Sequence, residues 1–215
     1  MTTDKTTTGG SADAATHEGG AAPAARKLIL ASNSPRRREL LAGLGLDFEV
    51  RVLPGIDESH PAHLRGGDIP LYIARAKADA YRADLAADEL LITADTIVWL
   101  DGEVLEKPAT PGQARDMLHS LSGCTHQVFT AVCLTTPQQQ ESFVCSTDVT
   151  FARLEPEEID RYVATCCPLD KAGAYGIQEW IGYIGVESIN GSFYNVMGLP
   201  VQRLYQRLKN NFNIR

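Results

Sequence analysis

Three consecutive arginines, Arg36, Arg37 and Arg38, follow Ser34-Pro35 where a helix is expected to begin. The first turn of a helix carries partial positive charge, so each cation there costs about 0.3–1 kcal/mol. Folding alone would place Asp or Glu at these positions. The arginines therefore point to an anionic ligand. Amide hydrogens at a helix start already face an anion, and guanidinium forks add bidentate contacts to phosphate oxygens. Ser32 and Ser34 flank the turn and can donate further hydrogen bonds. Of the three arginines, Arg38 is expected to face solvent. The competing reading is a solvated basic cluster paired with Glu39 or other acids.

A second candidate is a carboxylate. Leu90-Leu91-Ile92-Thr93-Ala94-Asp95-Thr96 runs apolar into Asp95. Read as a buried strand ending there, it puts Asp95 at the carboxyl edge of an α/β sheet, where ligands bind. Such a carboxylate can hold a divalent cation or act as a general base on water; an ordinary turn Asp is the alternative. Asp57 and Glu58, after Pro54-Gly55, are either loop acids or partners of Asp95 at a metal. Lys77, among small helical residues, and Lys107, in Glu106-Lys107-Pro108, read alone as surface lysines.

The stretch Asp170-Lys171-Ala172-Gly173-Ala174-Tyr175-Gly176-Ile177-Gln178 is rich in small residues. Gly173 and Gly176 would let the backbone approach a ligand closely. Gln178 offers both donor and acceptor to a nucleobase edge. Tyr175 packs or stacks. A bulged strand with glycine kinks reads equally well.

The elements that must position these residues follow from periodicity and caps. Leu28-Ile29-Leu30 is a short strand. Ser34 and Pro35 are a good N-cap and first helical residue, Leu40, Leu41 and Leu44 recur at helical spacing, and Gly45 can stop that helix. Phe48–Val52 alternates as a strand, and 70–86 reads as a helix with Ala74, Ala78, Tyr81 and Leu85 on one face. Asp101-Gly102 marks a two-residue hairpin. Thr110-Pro111-Gly112-Gln113 is a capping box opening a helix with Ala114, Met117, Leu118 and Leu121 inward. Residues 126–136 and 141–153 form a long hairpin through 137–140, and 156–165 a helix. Ala174–Ile177 and Tyr183–Ile189 read as strands, and Pro200 opens a last helix with Val201, Leu204, Tyr205 and Leu208 inward. The class is α/β with a mixed, twisted sheet and flanking helices.

Composition bounds what these elements can do. Of 215 residues, 44 % are hydrophobic and 22 % charged, as in an ordinary globular protein. The net charge of -7 argues against a broad nucleic-acid surface, which needs excess Lys and Arg on one face. The 5 cysteines show no metal-ribbon or Cys-x-x-Cys spacing, and the adjacent Cys166 and Cys167 read as reduced thiols. No apolar run nears the ~20 residues that span a bilayer. The amino terminus lacks the apolar core of a signal peptide. A cytoplasmic protein without membrane or nucleic-acid partners is expected. Residues 1–25, rich in Thr, Ala and Gly, read as a disordered tail; residues 26–215 read as the folded domain.

Taken in order, Leu30-Ala31-Ser32-x-Ser34-Pro35-Arg36-Arg37-x-Glu39-Leu40-Leu41, Ala94-Asp95-Thr96-Ile97-Val98, Leu105-Glu106-Lys107-Pro108, Leu121-Ser122-Gly123-x-Thr125-His126, the Asp170–Gln178 stretch and Val196-x-Gly198-Leu199-Pro200 closely resemble the Maf family of nucleoside triphosphate pyrophosphatases. The resemblance covers residues 27–210. It implies a mixed α/β fold like that of inosine-triphosphate pyrophosphatases, with a cleft between two lobes. It also implies a divalent cation, Mg²⁺ or Mn²⁺, as cofactor, and hydrolysis of nucleoside triphosphates to monophosphate and pyrophosphate. The Asp170–Gln178 version is similar to the subgroup acting on dTTP and UTP. By resemblance Ser32, Arg36 and Arg37 bind phosphate, Asp95 is the catalytic proton acceptor, and Thr96 and Gln178, with Arg36, set specificity. Glu58, Lys77 and Lys107 support them, Glu58 with Asp95 at the metal. Glu179-Trp180-Ile181 departs from the subgroup after Gln178, which makes Trp180 a candidate to reshape the base end of the cleft. Two other readings stay open: a nucleotide-binding regulator of cell division, and a pyrophosphatase for modified nucleotides. The oligomeric state, a homodimer included, is open too.

Overall fold

The computed structural model describes residues 26–214, so the expected tail, 1–25, lies outside the described residues. Its centre is a seven-stranded mixed sheet. Strand β1 (Lys27–Leu30) runs parallel to both β2 (Phe48–Val50) and β3 (Glu89–Leu100). The far side of β3 pairs antiparallel with β5 (Thr125–Thr135), which forms a hairpin with β6 (Gln140–Phe151); β7 (Val186–Asn190) closes that edge. A short β4 (Glu103–Leu105) turns back on β3. The turn between them is Asp101-Gly102, with φ of 50° and 92°, the conformation this dipeptide favours.

The caps behave as their residue types require. Ser34 accepts from the Arg37 amide to start α1 (Pro35–Ala42), and Thr110 accepts from the Gln113 amide to start α3 (Pro111–Leu121). Helix α2 (Asp68–Asp79) is shorter than expected, and a 3₁₀ turn at Arg82–Asp84 follows it; Tyr81 and Leu85 are still buried. Helices α4 (Pro156–Cys166) and α7 (Val201–Phe212) lie as expected.

Side-chain alternation along the strands sorts the core. Leu28, Leu30, Leu90, Ile92 and Ala94 pack with Leu40 and Leu41 of α1 and Leu204 and Leu208 of α7. Ile29 and Leu91 pack on the other face, with Ala74 and Ala78 of α2. A third cluster gathers α3, α4 and the strand ends around Leu118, Phe151, Tyr162 and Ile181. Members of all three clusters line the cleft, among them Ala94 of the first, Tyr81 of the second and Val98 and Tyr175 of the third.

Three expectations need correction. Strand β3 does not end at Asp95 but continues to Leu100, so Asp95 sits inside it. What does end there is the parallel pairing: β1 stops opposite Ile92, and the chain beyond it leaves Asp95 beside an open edge. Residues 174–177 form no strand, because Gly173 and Ala174 adopt left-handed φ of 66° and 58° within the 3₁₀ turn Ala172–Ala174. Residues 183–185 belong to helix α5 (Trp180–Gly185): Ile181 and Gly185, four apart, are buried while Tyr183 is 83 % exposed, a helical pattern. A short helix α6 (Phe193–Met197), capped by Ser192, was not anticipated.

Candidate active site

Ser32, Arg36, Arg37, Glu58, Lys77, Asp95, Thr96, Lys107 and Gln178 all line one cleft of about 480 Å³. That size suits a small-molecule ligand. The alternation of β3 distributes the central pair. Asp95 points to the α2 face and Thr96 to the α1 face, as their neighbours Thr93 and Ala94 also do.

On the α2 side, Lys77 Nζ donates to Asp95 Oδ1 at 2.9 Å and lies 3.0 Å from Glu58 Oε1. Lys77 and Asp95 are largely buried and Glu58 is half exposed. Burial would raise the Glu58 pKa, but Lys77, Lys107 and Arg37 outweigh it and hold the carboxyl below its usual value. Lys107 is exposed at the cleft rim.

On the α1 side, Arg37 is fixed at both edges of its guanidinium. Nε donates to the Gly198 carbonyl at 2.8 Å and Nη2 to Thr96 Oγ1 at 3.0 Å. Burial lowers its pKa and the adjacent Arg36 adds to that, against the opposing pull of Asp95 and Glu58. The Thr96 hydroxyl also meets Thr130 Oγ1 at 2.9 Å, while Thr130 itself donates to the Asn195 carbonyl. Thr96 must then donate to Thr130, which leaves it one free lone pair beyond the bond from Arg37. Gly198, at φ 110°, holds a left-handed turn that brings its carbonyl to Arg37.

Across the mouth, Arg36 Nη1 meets Asp170 Oδ2 at 2.8 Å, and Asp170 Oδ1 meets Lys171 Nζ at 2.7 Å. Burial pushes the Asp170 carboxyl up, but these two cations bring it down to about 2. Sequence reasoning quoted Asp170 and Lys171 without giving them a task, and it missed Thr130, Asn195 and the Gly198 carbonyl. The signal for Gly198 was a glycine directly after a helix; the others carry none that is local.

Four expectations change here. Arg38, the one of the three arginines outside the cleft lining, is only partly exposed, because its guanidinium folds back 3.3 Å from the Ser32 carbonyl. Asp57 is not at the site, since both of its oxygens accept from Ser59 at 2.8 Å. Trp180 stacks under Arg161, 4.5 Å from ring centre to guanidinium carbon, and does not line the cleft. Gly173 and Gly176 accommodate protein rather than ligand: a Cβ on either would stand 2.8 Å from Val98 Cγ2 or Glu179 Cδ. Tyr175 packs, with its hydroxyl 2.7 Å from His126 Nε2.

No cluster of three or more His, Cys, Asp or Glu side chains able to hold a metal occurs among the described residues. Glu58 and Asp95 nevertheless suit a hard cation. Lys77 occupies one oxygen of each carboxylate. The other two oxygens can serve a cation such as Mg²⁺, which needs few protein ligands when phosphate and water complete its shell. At the other end of the cleft, the buried Gln178 Oε1 has no hydrogen-bond partner. An acceptor left free in this way is available to a donor that reaches it.

A family model described as Maf-like protein matches residues 27–211. A dTTP/UTP pyrophosphatase of Bacteroides thetaiotaomicron is 64% identical over 182 residues, covering 85% of this chain and 94% of that protein. A dTTP/UTP pyrophosphatase of Phocaeicola vulgatus is 63% identical over the same shares of both chains. Among solved structures, the Staphylococcus aureus Ham1 protein aligns with 59% of this chain and 72% of its own, at 14% identity and a TM-score of 0.44.

Proposed function

The chain belongs to the Maf-like protein family, and on that premise we propose that it hydrolyses dTTP and UTP to the nucleoside monophosphate and pyrophosphate, the reaction its relatives are named for. One observation supports this most: Arg36, Arg37, Lys77 and Lys107 converge with the start of α1 on a cleft that contains Asp95.

Ser32, Arg36 and Arg37 grip the triphosphate. Lys77 and Lys107 approach it from the opposite wall. Cations placed beforehand stabilise charge that grows on the phosphate oxygens during transfer, with no reorganisation cost at that moment. Asp95 orients the attacking water and accepts its proton. Lys77 keeps that carboxylate aimed into the cleft, and Thr96 does the same for Arg37. Glu58 and Asp95 would hold the divalent cation, which when bound neutralises phosphate charge. Gln178 reads the base, its buried oxygen accepting from a ring N–H such as N3–H of thymine or uracil. Thr96 has one lone pair left for the same end. A cytoplasmic location belongs to this reading. Among the described residues no helix is long and apolar enough to cross a membrane.

The deciding experiment is a panel of dTTP, UTP, CTP and methylated-base triphosphates with product identification, run with Mg²⁺, Mn²⁺ and chelator. Release of pyrophosphate from dTTP and UTP, abolished by chelator and restored by either cation, is the expected result. Binding without such release would favour a nucleotide-binding regulator. Preference for a methylated base would favour a pyrophosphatase of modified nucleotides.

A further inference from the structure

The segment carrying Gln178 is tied down at one carboxylate. Glu179 Oε1 lies 3.1 Å from Lys171 Nζ, and Glu179 Oε2 accepts from the Tyr162 hydroxyl of α4. That hydroxyl in turn accepts from the Gly176 amide at 3.0 Å. The main chain repeats the closure: the Glu179 amide donates to the Gly176 carbonyl, and the Gly182 amide to the Glu179 carbonyl, both at 2.9 Å. Nothing can be added inside this circuit. A Cβ at Gly176 would lie 2.8 Å from Glu179 Cδ, and one at Gly182 only 1.8 Å from the Ile177 carbonyl oxygen. Tyr162 is fully buried, and burial first and then Glu179 raise its pKa, so it stays a hydroxyl able to donate and accept at once.

We propose that Glu179, acting through Tyr162 and Lys171, is the positioning residue that sets base selection. The inference rests on the reading of Gln178 as the base reader. Glu179 does not line the cleft, whereas Gly176 and Gln178, within the segment it ties, do. Its influence reaches the cleft through the backbone it holds and through Lys171, which does line it. Uracil presents an N3–H donor beside an O4 acceptor, and cytosine presents the reverse order. A glutamine amide free to shift and turn over accepts both patterns. One held in place prefers the first when its oxygen faces the ring nitrogen.

The test compares kcat/KM for UTP with that for CTP in the wild type, Glu179→Gln, Tyr162→Phe and Gln178→Ala, with thermal melts and the inhibition constant of pyrophosphate. Loss of one neutral hydrogen bond's worth of discrimination is about two- to tenfold. Glu179→Gln and Tyr162→Phe should lower the UTP-to-CTP ratio by that factor, chiefly through KM, and Tyr162→Phe, which keeps the Glu179–Lys171 pair, should leave pyrophosphate inhibition unchanged. If Glu179→Gln melts below the assay temperature, Tyr162→Phe, which keeps the ring and loses only the hydroxyl, decides. A wild-type ratio in the folded variants, with an altered one in Gln178→Ala, overturns the role of Glu179 alone. An unaltered ratio in Gln178→Ala overturns the base reader and this inference together.

Discussion

Lys77 and Asp95 meet at 2.9 Å across the interface between α2 and the central strand, and the same ammonium lies 3.0 Å from Glu58. The pair links helix packing to chemistry. Ala74 and Ala78, on the same side of α2, bring the helix close to the sheet, and that closeness lets a lysine side chain reach a strand carboxylate.

Removing the charge of Asp95 separates chemistry from binding. Asp95→Asn keeps the shape and can still accept from Lys77, but cannot take a proton from water. Turnover should fall by about 10²–10⁴, while nucleotide affinity by calorimetry stays within a few-fold. Near-normal turnover would remove Asp95 from the mechanism.

Lys77→Met leaves Asp95 with no cation partner in a largely buried place. Urea denaturation should show a loss of about 1–3 kcal/mol. In Lys77→Met combined with Asp95→Asn much of that loss should return, because the stranded charge is gone. Strict additivity of the two substitutions would mean that the pair contributes nothing to the folded state.

Arg36→Ala should weaken triphosphate binding by about 1–3 kcal/mol, the range of a hydrogen bond to a charged group. Its loss also removes one of the two cations on Asp170, which keeps Lys171 at 2.7 Å. Unchanged affinity in a titration would mean that the phosphates bind elsewhere.

Acid stability depends on an ion pair away from the cleft. Glu89 receives Arg51 Nη2 at 2.6 Å and Nη1 at 3.0 Å, and the Ala86 amide at 3.1 Å. The Arg51 bonds chiefly bring its carboxyl down to about 2, against the opposing effect of burial. A carboxylate lowered on folding stabilises the protein above its unfolded pKa, about 4.3, and that stability is lost as pH falls towards 2. Glu89→Gln should therefore cost about 1–3 kcal/mol at pH 7. The gap to wild type should narrow below about pH 4. A gap constant from pH 7 to 3 in denaturant titrations would exclude this origin.

The parts of the molecule that were legible in the sequence are those written locally. Ser34-Pro35, Thr110-Pro111 and Asp101-Gly102 each state a cap or turn within a few residues; the first and last form as read, and Thr110 caps α3 while Gln113 accepts from the Ala109 amide instead of closing the box on Thr110. The arginines were legible because they violate helix electrostatics, and two of them line the cleft. The extent of β3 was not legible. A carboxylate inside an apolar run looks like a strand end, and only Lys77, 18 positions away, makes it tolerable mid-strand. Local rules fail most often at functional positions. The 170–185 region was misread for a related reason. Its path is set by Val98 beneath Gly173 and by Tyr162 holding Gly176, contacts that no window around the glycines contains.

Neighbouring positions on one strand deliver Asp95 and Thr96 to opposite faces of the sheet, and the ladder to β5 pairs both with Ala131 and Thr130. Sliding β3 by a single residue would exchange the carboxylate proposed as proton acceptor for the hydroxyl that steadies an arginine, so this part of the enzyme has no small adjustments available to it. The loop beside α4 belongs to no ladder, so side chains there can change without touching the register as long as Gly173, Gly176 and Gly182 stay. Anyone wishing to retarget the protein to another nucleotide should begin in that loop and leave the strand as it is.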